Sequence, residues 1–326
     1  MTTYILRRTI QAIPILIGIS IVVFAIVYLA PGDPTARFRT PKVPPEQIEA
    51  LIRAYGLDRP LHEQYIAWAT TFVQMWRPEA WGYSFLSGEP VLQKIIDRVP
   101  ATLLLMGTSL FVTVIIAVPV GMIAAIRQYS WTDKAITTAA TFAYAFPSFL
   151  LGTYALYIGA ILLPTWTNGA ISFPAFGMES MGTRGDPLDL LWHLVLPVTT
   201  LAVISIAGWS RYMRSSMLDV LHRDCVRTAR AKGLPNRAVI YQHALRNALI
   251  PVVTLLGLSI PGLIAGAAIT EAIFSWPGLG SMFVEAVGTR DYPVVLALTM
   301  VGGVAVVMGN LLADVLYSFV DPRIRY

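Results

Sequence analysis

Hydrophobic and polar positions along the chain separate into long apolar runs and shorter charged pieces. Six stretches without charged residues are long enough to cross a hydrocarbon core about 30 Å thick, which takes about 20 residues of α-helix. The predicted spans lie at about 9–30, 99–126, 136–163, 190–210, 247–270 and 292–313. A buried core helix of a soluble protein explains one such run but not six. The pattern therefore predicts an all-α integral membrane protein with six transmembrane helices.

The first run has an alternative reading as a cleaved signal peptide, since Arg7 and Arg8 precede it. Its apolar stretch is longer than the usual signal-peptide core, and its end at Tyr28-Leu29-Ala30-Pro31 lacks a small-x-small cleavage pattern. We expect a retained span.

Lysine and arginine positions predict the orientation. With the N-terminus in the cytoplasm, the cytoplasmic pieces carry 14 of the 24 cations, and the two short outer loops carry one each, Arg184 and Arg290. The remaining 8 lie in residues 31–98 beside 8 acidic residues, and segments of that length cross largely regardless of charge. Both chain ends are therefore expected in the cytoplasm.

The pieces between the spans complete the predicted organisation. Residues 31–98 form an outer segment with helical patterns at 45–55 and 61–76, accompanied by tryptophans that favour the membrane interface. We expect a small helical cap there. Residues 99–318 form the core with its longest cytoplasmic loop at 211–246, and 319–326 form a cytoplasmic tail.

Composition agrees with this picture. The chain is 56% hydrophobic and 13% charged, about half the charge of a typical soluble domain. Its net charge of +5 follows from topology and needs no nucleic acid to explain it. The single cysteine, Cys225, excludes an internal disulfide framework.

The loop at 211–246 predicts two short helices, at 215–232 and 236–246, separated by Gly233 and Pro235. Leu218, Leu221, Cys225 and Ala229 are expected on one face of the first. A basic anchor on anionic lipid heads and a DNA-binding helix-turn-helix are alternative readings. The tether between two spans argues against DNA. Small residues beside arginines favour a docking surface for a protein partner.

At these residues the sequence resembles the inner-membrane permeases of binding-protein-dependent ABC importers. Their EAA signature has Glu-Ala-Ala, three residues, Gly, nine residues and Ile-x-Leu-Pro. Here Ala229, Gly233 and Leu245 match, whereas Arg227 and Arg246 replace the acidic residue and the proline. This departure fits the dipeptide and oligopeptide branch, which the chain resembles at Arg227-Thr228-Ala229-Arg230-Ala231-Lys232-Gly233 and His243-Ala244-Leu245-Arg246-Asn247-Ala248.

Further stretches resemble the B-type subunit of that branch. They are Tyr4-Ile5-Leu6-Arg7-Arg8, Pro31-Gly32-Asp33-Pro34, Phe274-Ser275-Trp276-Pro277-Gly278-Leu279-Gly280, Arg290-Asp291-Tyr292-Pro293 and Asp321-Pro322-Arg323. The resemblance covers essentially the whole chain.

The resemblance implies the type I ABC importer permease fold in a bacterial or archaeal cytoplasmic membrane. It implies four kinds of partner: a homologous C-type permease, two ATP-binding subunits, an extracytoplasmic solute-binding protein and membrane lipids. The chain would form half of a pathway for peptides or similar small solutes. Relatives of this branch also carry nickel chelates, glutathione or oligosaccharides. The implied ATPase-coupling residues are Asp224, Arg227, Thr228, Ala229, Arg230 and Gly233.

Catalytic chemistry is not indicated. The chain has no Gly-Lys pair, so it has no P-loop, and ATP and Mg²⁺ are expected only in the partner ATPases. The scattered histidines predict no metal site, and a Gly-x-Ser-x-Gly elbow is missing. A secondary transporter would need carboxylates in the middle of spans, and a membrane enzyme would need a catalytic constellation.

Three residues near the end of the fifth run are candidates for a pathway or gate. Glu271 has both a structural and a pathway reading. Gly262 and Gly266 form a small-x-x-x-small pair, which favours close helix packing within the subunit or against the partner permease. Pro251 and Pro261 are expected to bend this span.

Overall fold

A computed structural model describes residues 2–29, 44–54, 56–183 and 185–320. Most of these residues are helical, and the described residues contain one isolated bridge between Tyr83 and Pro90 and no strand. The helices up to the second span are α1 (Thr2–Leu29), α2 (Pro45–Ala54), α3 (Leu61–Phe72), a 3-10 turn (Pro78–Trp81) and α4 (Val91–Ile126).

The middle of the chain contains α5 (Trp131–Ala145), α6 (Ser148–Leu156), a π-helical segment (Tyr157–Leu162), α7 (Leu163–Trp166) and α8 (Pro187–Leu221). The loop after α8 contains α9 (Asp224–Ala231), α10 (Asn236–Ala238), a second π-helical segment (Val239–Leu245) and α11 (Arg246–Ala248). The remainder contains α12 (Ile250–Ala265), α13 (Ala268–Ile273), α14 (Leu279–Thr289) and α15 (Tyr292–Val320).

Six helical stretches of the described residues are long and apolar enough to span a membrane, which confirms the predicted helical membrane fold. They are Thr9–Leu29, Val91–Ile126, Ser148–Trp166, Pro187–Leu221, Asn236–Leu263 and Tyr292–Leu312. The two predicted cap helices are present as α2 and α3. Residues 321–326 of the predicted tail at 319–326, with its motif at 321–323, and the turn at 31–34 lie outside the described residues.

The third span differs from the prediction of one helix over 136–163. Its helix ends at Ala145, and α6 begins at Ser148 after Pro147. Proline lacks the N–H that would continue the helix, and it disfavours the α conformation of the preceding residue. Phe146 is accordingly extended, with φ −80° and ψ 130°.

The described chain divides into two compact units. One comprises Met1–Pro100 with Met282–Val307, and the other comprises Ala101–Ser281 with α15 from Met308 onward. Residues 282–307 therefore pack with the first hundred residues.

Aromatic contacts hold the first unit together. The ring of Phe24 in α1 lies 5.3 Å from Tyr65 and 5.9 Å from Trp68 in α3. Tyr28 packs on Tyr292 with 5.1 Å between ring centroids. The cap helix α3 is thus fixed to α1 by ring packing, which is typical of a segment at a membrane interface.

A buried carboxylate fixes the end of the cap in the same unit. Asp291 accepts hydrogen bonds from the hydroxyl of Ser84, from the Phe85 N–H at 2.9 Å and from the Leu86 N–H at 3.4 Å. This contact assigns a structural role to the acidic residue of the Arg290–Pro293 motif.

Candidate functional site

The loop between the fourth and fifth spans begins with a break in the predicted helix at 215–232. Helix α8 ends at Leu221, His222 caps it, and α9 starts at Asp224 after the extended residue Arg223. The His222 ring bonds to the Leu218 carbonyl at 2.8 Å. The predicted single helix was therefore wrong, since two separate helices meet at this corner.

The break decides which face of α9 is buried. Val226 is fully buried and Ala229 is 4% exposed, whereas Cys225 is exposed. The prediction that Cys225 shares one face with Leu218, Leu221 and Ala229 was wrong, because the break at residues 222–223 interrupts the helix on which that face was drawn. Ala229 was expected to contact a partner, but its methyl group packs inside this chain.

A hydrophobic cluster includes the buried face of α9. It comprises Met122, Ala125, Met213, Met217, Val220, Val226, Ala229, Val239, Ala244, Ala248 and Val252. These side chains come from α4, α8, α9, α12 and the helical segments at 236–248. Well-packed interiors transmit a displacement rather than absorb it. Helix α9 is therefore rigidly attached to the spans.

Gly233 ends α9 as the sequence predicted. Its φ is +75°, its N–H bonds to the Arg230 carbonyl at 3.0 Å, and the Leu234 N–H bonds to the Ala229 carbonyl at 3.4 Å. This is the Schellman pattern, in which glycine suits the left-handed position. A Cβ on Gly233 would meet no described atom within 4 Å, so the surface around it is open.

The outward face of α9 carries the other predicted coupling residues. Asp224, Arg227, Thr228 and Arg230 are all exposed. Asp224 Oδ1 and Arg227 Nη1 lie 3.7 Å apart, and the two side chains are 97% and 76% exposed. An ion pair that is this solvated contributes little to stability. Arg223 and Lys232 flank this face. The outward face of α9 is therefore a short basic surface on a helix that is rigidly attached to the spans.

A buried ion pair near this loop was missed by the sequence analysis. The guanidinium of Arg214 in α8 donates to both carboxylate oxygens of Asp133 in α5, at 2.6 and 2.7 Å. The Tyr129 N–H and the Thr137 hydroxyl donate to the same carboxylate. These donors, Arg214 first, lower the pKa of Asp133 to about 2. The pair fixes α5 to the end of α8 that leads into α9.

Helices α4 and α8 also approach closely beside this pair. A methyl group at Gly121 would lie 2.7 Å from Met213 Cβ, 3.1 Å from the Arg214 nitrogen and directly against the Ser210 carbonyl. Only glycine allows this approach of the two backbones.

The Phe274–Gly280 motif encloses a second buried carboxyl group, that of Glu271. This side chain is fully buried. The Ser281 N–H donates to its Oε2 at 2.9 Å, and the Ala267 N–H and Thr102 hydroxyl donate to its Oε1 at 3.3 Å. Trp276 in the motif is also fully buried and donates its indole N–H to the Ala101 carbonyl at 2.8 Å.

Glycines leave the space that Glu271 occupies. A Cβ at Gly278 would lie 2.5 Å from Glu271 Cδ and 2.5 Å from Thr102 Oγ1, and one at Gly266 would lie 2.7 Å from Glu271 Oε1. Every polar contact of the carboxyl group is internal, and no part of it is open to a solute. The geometry therefore supports the structural reading of Glu271 and gives no support to the pathway reading.

Among the described residues, the predicted glycine pair makes no small-x-x-x-small helix contact within the subunit. Gly266 lies beyond α12 with φ +75°, and a Cβ at Gly262 would meet no described atom within 4 Å. Pro261 lies inside α12 against Gly309, and Pro251 lies in the first turn of the helix. Among the described residues, no group of three or more potential ligands could hold a metal ion.

Comparisons with known sequences bear on the whole chain. The profile of the family described as "Binding-protein-dependent transport system inner membrane component" matches residues 117–326. The profile of its N-terminal membrane component matches residues 1–106.

Three curated relatives align over the full length. The chain is 44% identical over 327 residues to the oligopeptide transport system permease protein AppB of Bacillus subtilis (strain 168), covering 100% of both chains. It is 37% identical over 345 residues to the dipeptide transport system permease protein DppB of Escherichia coli (strain K12), covering 100% of this chain and 99% of the relative. It is 36% identical over 327 residues to the glutathione transport system permease protein GsiC of Shigella flexneri serotype 5b (strain 8401), covering 100% of both.

Proposed function

Since the chain belongs to the family of binding-protein-dependent transport system inner-membrane components, as a permease subunit of a peptide ABC importer, we propose that it forms half of a pathway for peptides or similar small solutes. The names of its relatives, for oligopeptides, dipeptides and glutathione, support this solute class. The other half comes from a homologous C-type permease, and an extracytoplasmic binding protein delivers the solute.

The orientation belongs to the same proposal. Both ends and the 211–246 loop face the cytoplasm of a bacterial or archaeal cell, and the cap with α2 and α3 faces outward. The excess of cations in the pieces assigned to the cytoplasm supports it.

Two separate ATP-binding subunits dock on the outward face of α9 in this proposal. The observation that carries it is the exposed, basic face of α9 above the hydrophobic cluster that joins it to the spans. Arginines on such a face pair with acidic groups of a partner. Closure of the ATPases would shift α9, and the stiff cluster would pass this displacement to α4 and α8. In this proposal ATP and Mg²⁺ are held by those partners, since this chain has no P-loop.

Tryptophan substitutions at two exposed threonines, one on α9 and one on the cap as a control, test the docking surface. Thr228 is exposed on α9 and Thr70 is exposed on the cap helix α3. Thr228→Trp should lower ATP-driven uptake by the co-expressed transporter at least tenfold, because an indole ring at a close contact separates the two surfaces. Thr70→Trp should leave uptake unchanged.

Co-purification gives a second readout. The Thr228→Trp permease should lose associated ATPase while keeping the C-type permease. Full uptake and normal ATPase association for both variants would show that α9 is not the docking surface.

A further inference from the structure

The side chain of Arg211 points back along α8, toward the N-terminal end of that helix. Arg211 begins the predicted cytoplasmic loop at 211–246, but α8 continues through it to Leu221. The Arg211 Nε donates to the Ala207 carbonyl at 3.3 Å, one turn earlier in the helix. The guanidinium carbon lies 4.6 Å from the centroid of the Tyr144 ring in α5. Two contacts therefore hold this cation between α5 and α8.

The guanidinium group lies within the predicted membrane layer. Tyr129 and Trp131, at the start of α5, are 77% and 86% exposed, and such aromatic side chains favour the membrane interface. The Cα of Tyr144 lies about 20 Å beyond that of Trp131 along α5, at about 1.5 Å per residue. Side chains of a helix lean toward its N-terminus, so the ring of Tyr144 lies a few ångströms nearer to the interface. It is still well inside a hydrocarbon core about 30 Å thick.

Arg211 has no anionic partner among the described residues. Its guanidinium group makes one hydrogen bond, to Ala207, and it takes part in no described ion pair. Asp133 in α5 is not available to it, because both carboxylate oxygens of Asp133 accept bonds from Arg214. A guanidinium group has five N–H donors. Since Arg211 is partly exposed and Tyr144 is 59% exposed, a ligand can reach the remaining donors.

A cation at this depth is costly against lipid tails. Charged side chains within spans almost always face the interior of a bundle or a water-filled cavity, where they mark the path of a substrate or an ion. The exposed face of Arg211 and Tyr144 therefore suits the wall of a pathway. Arginine binds a carboxylate through two parallel hydrogen bonds, and packing on an aromatic ring orients the guanidinium group in advance.

We propose that Arg211, held by Tyr144, binds the C-terminal carboxylate of a peptide during its passage through the permease. The choice of a peptide rests on the proposed function, which supplies the solute class. An unmodified linear peptide carries this carboxylate whatever its side chains, so one arginine recognises peptides of different sequence. Arg211 is thus a specificity-determining residue for a free C-terminus.

Peptides with a free and an amidated C-terminus test this contact. The complete transporter, with its C-type permease, its ATPases and its binding protein, is placed in proteoliposomes. ATP-driven uptake of Ala-Phe and of Ala-Phe-amide is measured at saturating binding protein and peptide. The ratio of the two uptake rates is compared between variants, because the preference of the binding protein enters every ratio equally and cancels. Ala-Phe taken up per ATP hydrolysed gives a second readout, which needs no amide.

Removing the guanidinium group should reduce discrimination between the two peptides. Arg211→Gln should lower the uptake ratio and the Ala-Phe taken up per ATP about tenfold, as expected for lost hydrogen bonds between charged groups. Arg211→Lys should lower both about threefold, because lysine keeps the charge and loses the two-bond geometry. Lys134→Gln is the matched control, since Lys134 is an exposed cation near the start of α5, 5.5 Å from the Trp131 ring centroid. It should leave both readouts unaltered.

Three results would overturn the carboxylate site. The first is an Arg211→Gln variant with the wild-type ratio and wild-type uptake per ATP. The second is an equal loss of uptake for both peptides together with loss of the C-type permease on purification, which would assign Arg211 to an ion pair with that subunit. The third is a wild-type ratio that changes with the phosphatidylglycerol content of the liposomes, while that of Arg211→Gln does not, which would assign Arg211 to a lipid phosphate.

The wild-type measurement separates this site from the proposed function. If the wild-type transporter takes up Ala-Phe with ATP and Arg211→Gln keeps its ratio and its uptake per ATP, only the carboxylate site is contradicted. If the wild-type transporter takes up neither peptide, the proposed solute class is contradicted, and the carboxylate site falls with it.

Discussion

The residues that enclose the Glu271 carboxyl group, which are Thr102, Gly266, Gly278 and Ser281, form what we call the Glu271 cradle. Its tight contacts give a testable prediction. Gly278→Ala places a methyl group 2.5 Å from Glu271 Cδ and 2.5 Å from Thr102 Oγ1, well inside the 3.5–4.0 Å of an ordinary carbon contact. The carboxyl group must move, yet three hydrogen bonds hold it. Overpacking costs about 1–3 kcal/mol, and weakening bonds to the carboxyl group adds about 1 kcal/mol. We expect Gly278→Ala to destabilise the protein by about 3 kcal/mol.

Removing the carboxyl group has its own cost. Glu271→Ala leaves the Ser281 and Ala267 N–H groups buried without their acceptor, at about 1–3 kcal/mol each. The expected loss is about 4 kcal/mol. In the double variant the new methyl group occupies space that the carboxyl group has vacated, and only the Thr102 contact remains. We therefore expect a total of about 5 kcal/mol, less than the sum of the single effects by about 2 kcal/mol.

Gly121→Ala is the control for this cycle. The atoms nearest to a methyl group there belong to Ser210, Met213 and Arg214, with Met213 Cβ at 2.7 Å. None of these residues contacts the Glu271 carboxyl group, so removing that group cannot relieve the clash. Gly121→Ala and Glu271→Ala should be additive within about 0.5 kcal/mol.

Thermal unfolding in detergent, followed by tryptophan emission, measures the cycle. Trp276 is fully buried beside the cradle and reports its opening. At about 2 °C per kcal/mol for a chain of this size, the Gly278 cycle should show a coupling of about 4 °C and the Gly121 cycle about 1 °C or less. Additive shifts in both cycles would refute the cradle.

Three further predictions concern the loop and its supports. Arg214 holds the pKa of Asp133 below its usual value, at about 2, so the pair stabilises the fold above about pH 4. This contribution of about 2 kcal/mol should be lost as the pH falls from about 4 to 2, and Asp133→Asn should remove that part of the acid sensitivity in melts from pH 7 to 2. Gly121→Ala should destabilise by about 1–3 kcal/mol through overpacking, whereas Gly107→Ala in the same helix, where a Cβ meets no described atom within 4 Å, should be neutral or stabilising in the same melts. Gly233→Asn keeps the left-handed conformation at lower cost than Gly233→Val. Loss of ATP-driven uptake in both variants, with unchanged melting of the asparagine variant, would indicate a close contact at this position. Full uptake in the asparagine variant would contradict such a contact.

Local signals predicted much of this fold. Charge-free runs located the spans, helical spacing located α2 and α3, and Gly233 marked the end of α9. Pro147 carried a usable signal for the break between α5 and α6, because a proline and its preceding residue both disfavour continuation of a helix.

Contacts between distant residues could not be predicted in the same way. Asp133 and Arg214 are 81 residues apart, and Thr102 and Glu271 are 169 apart, so only packing brings them together. The buried face of α9 depends on the corner at His222 and Arg223, which contains neither glycine nor proline. The helical periodicity of the sequence continues across that corner. It therefore predicted that Cys225 shares one face with Ala229, which is wrong.

The single cysteine allows the central claim to be tested directly. Cys225 is exposed on α9, so a thiol-reactive photo-crosslinker attached there in the native complex should capture an ATP-binding subunit. The control is Cys225→Ser with the label moved to Val73→Cys, on an exposed cap residue, which should capture no ATPase. The account predicts an ATPase adduct from Cys225 alone, and it is contradicted if Cys225 gives no such adduct or if the cap position gives it equally.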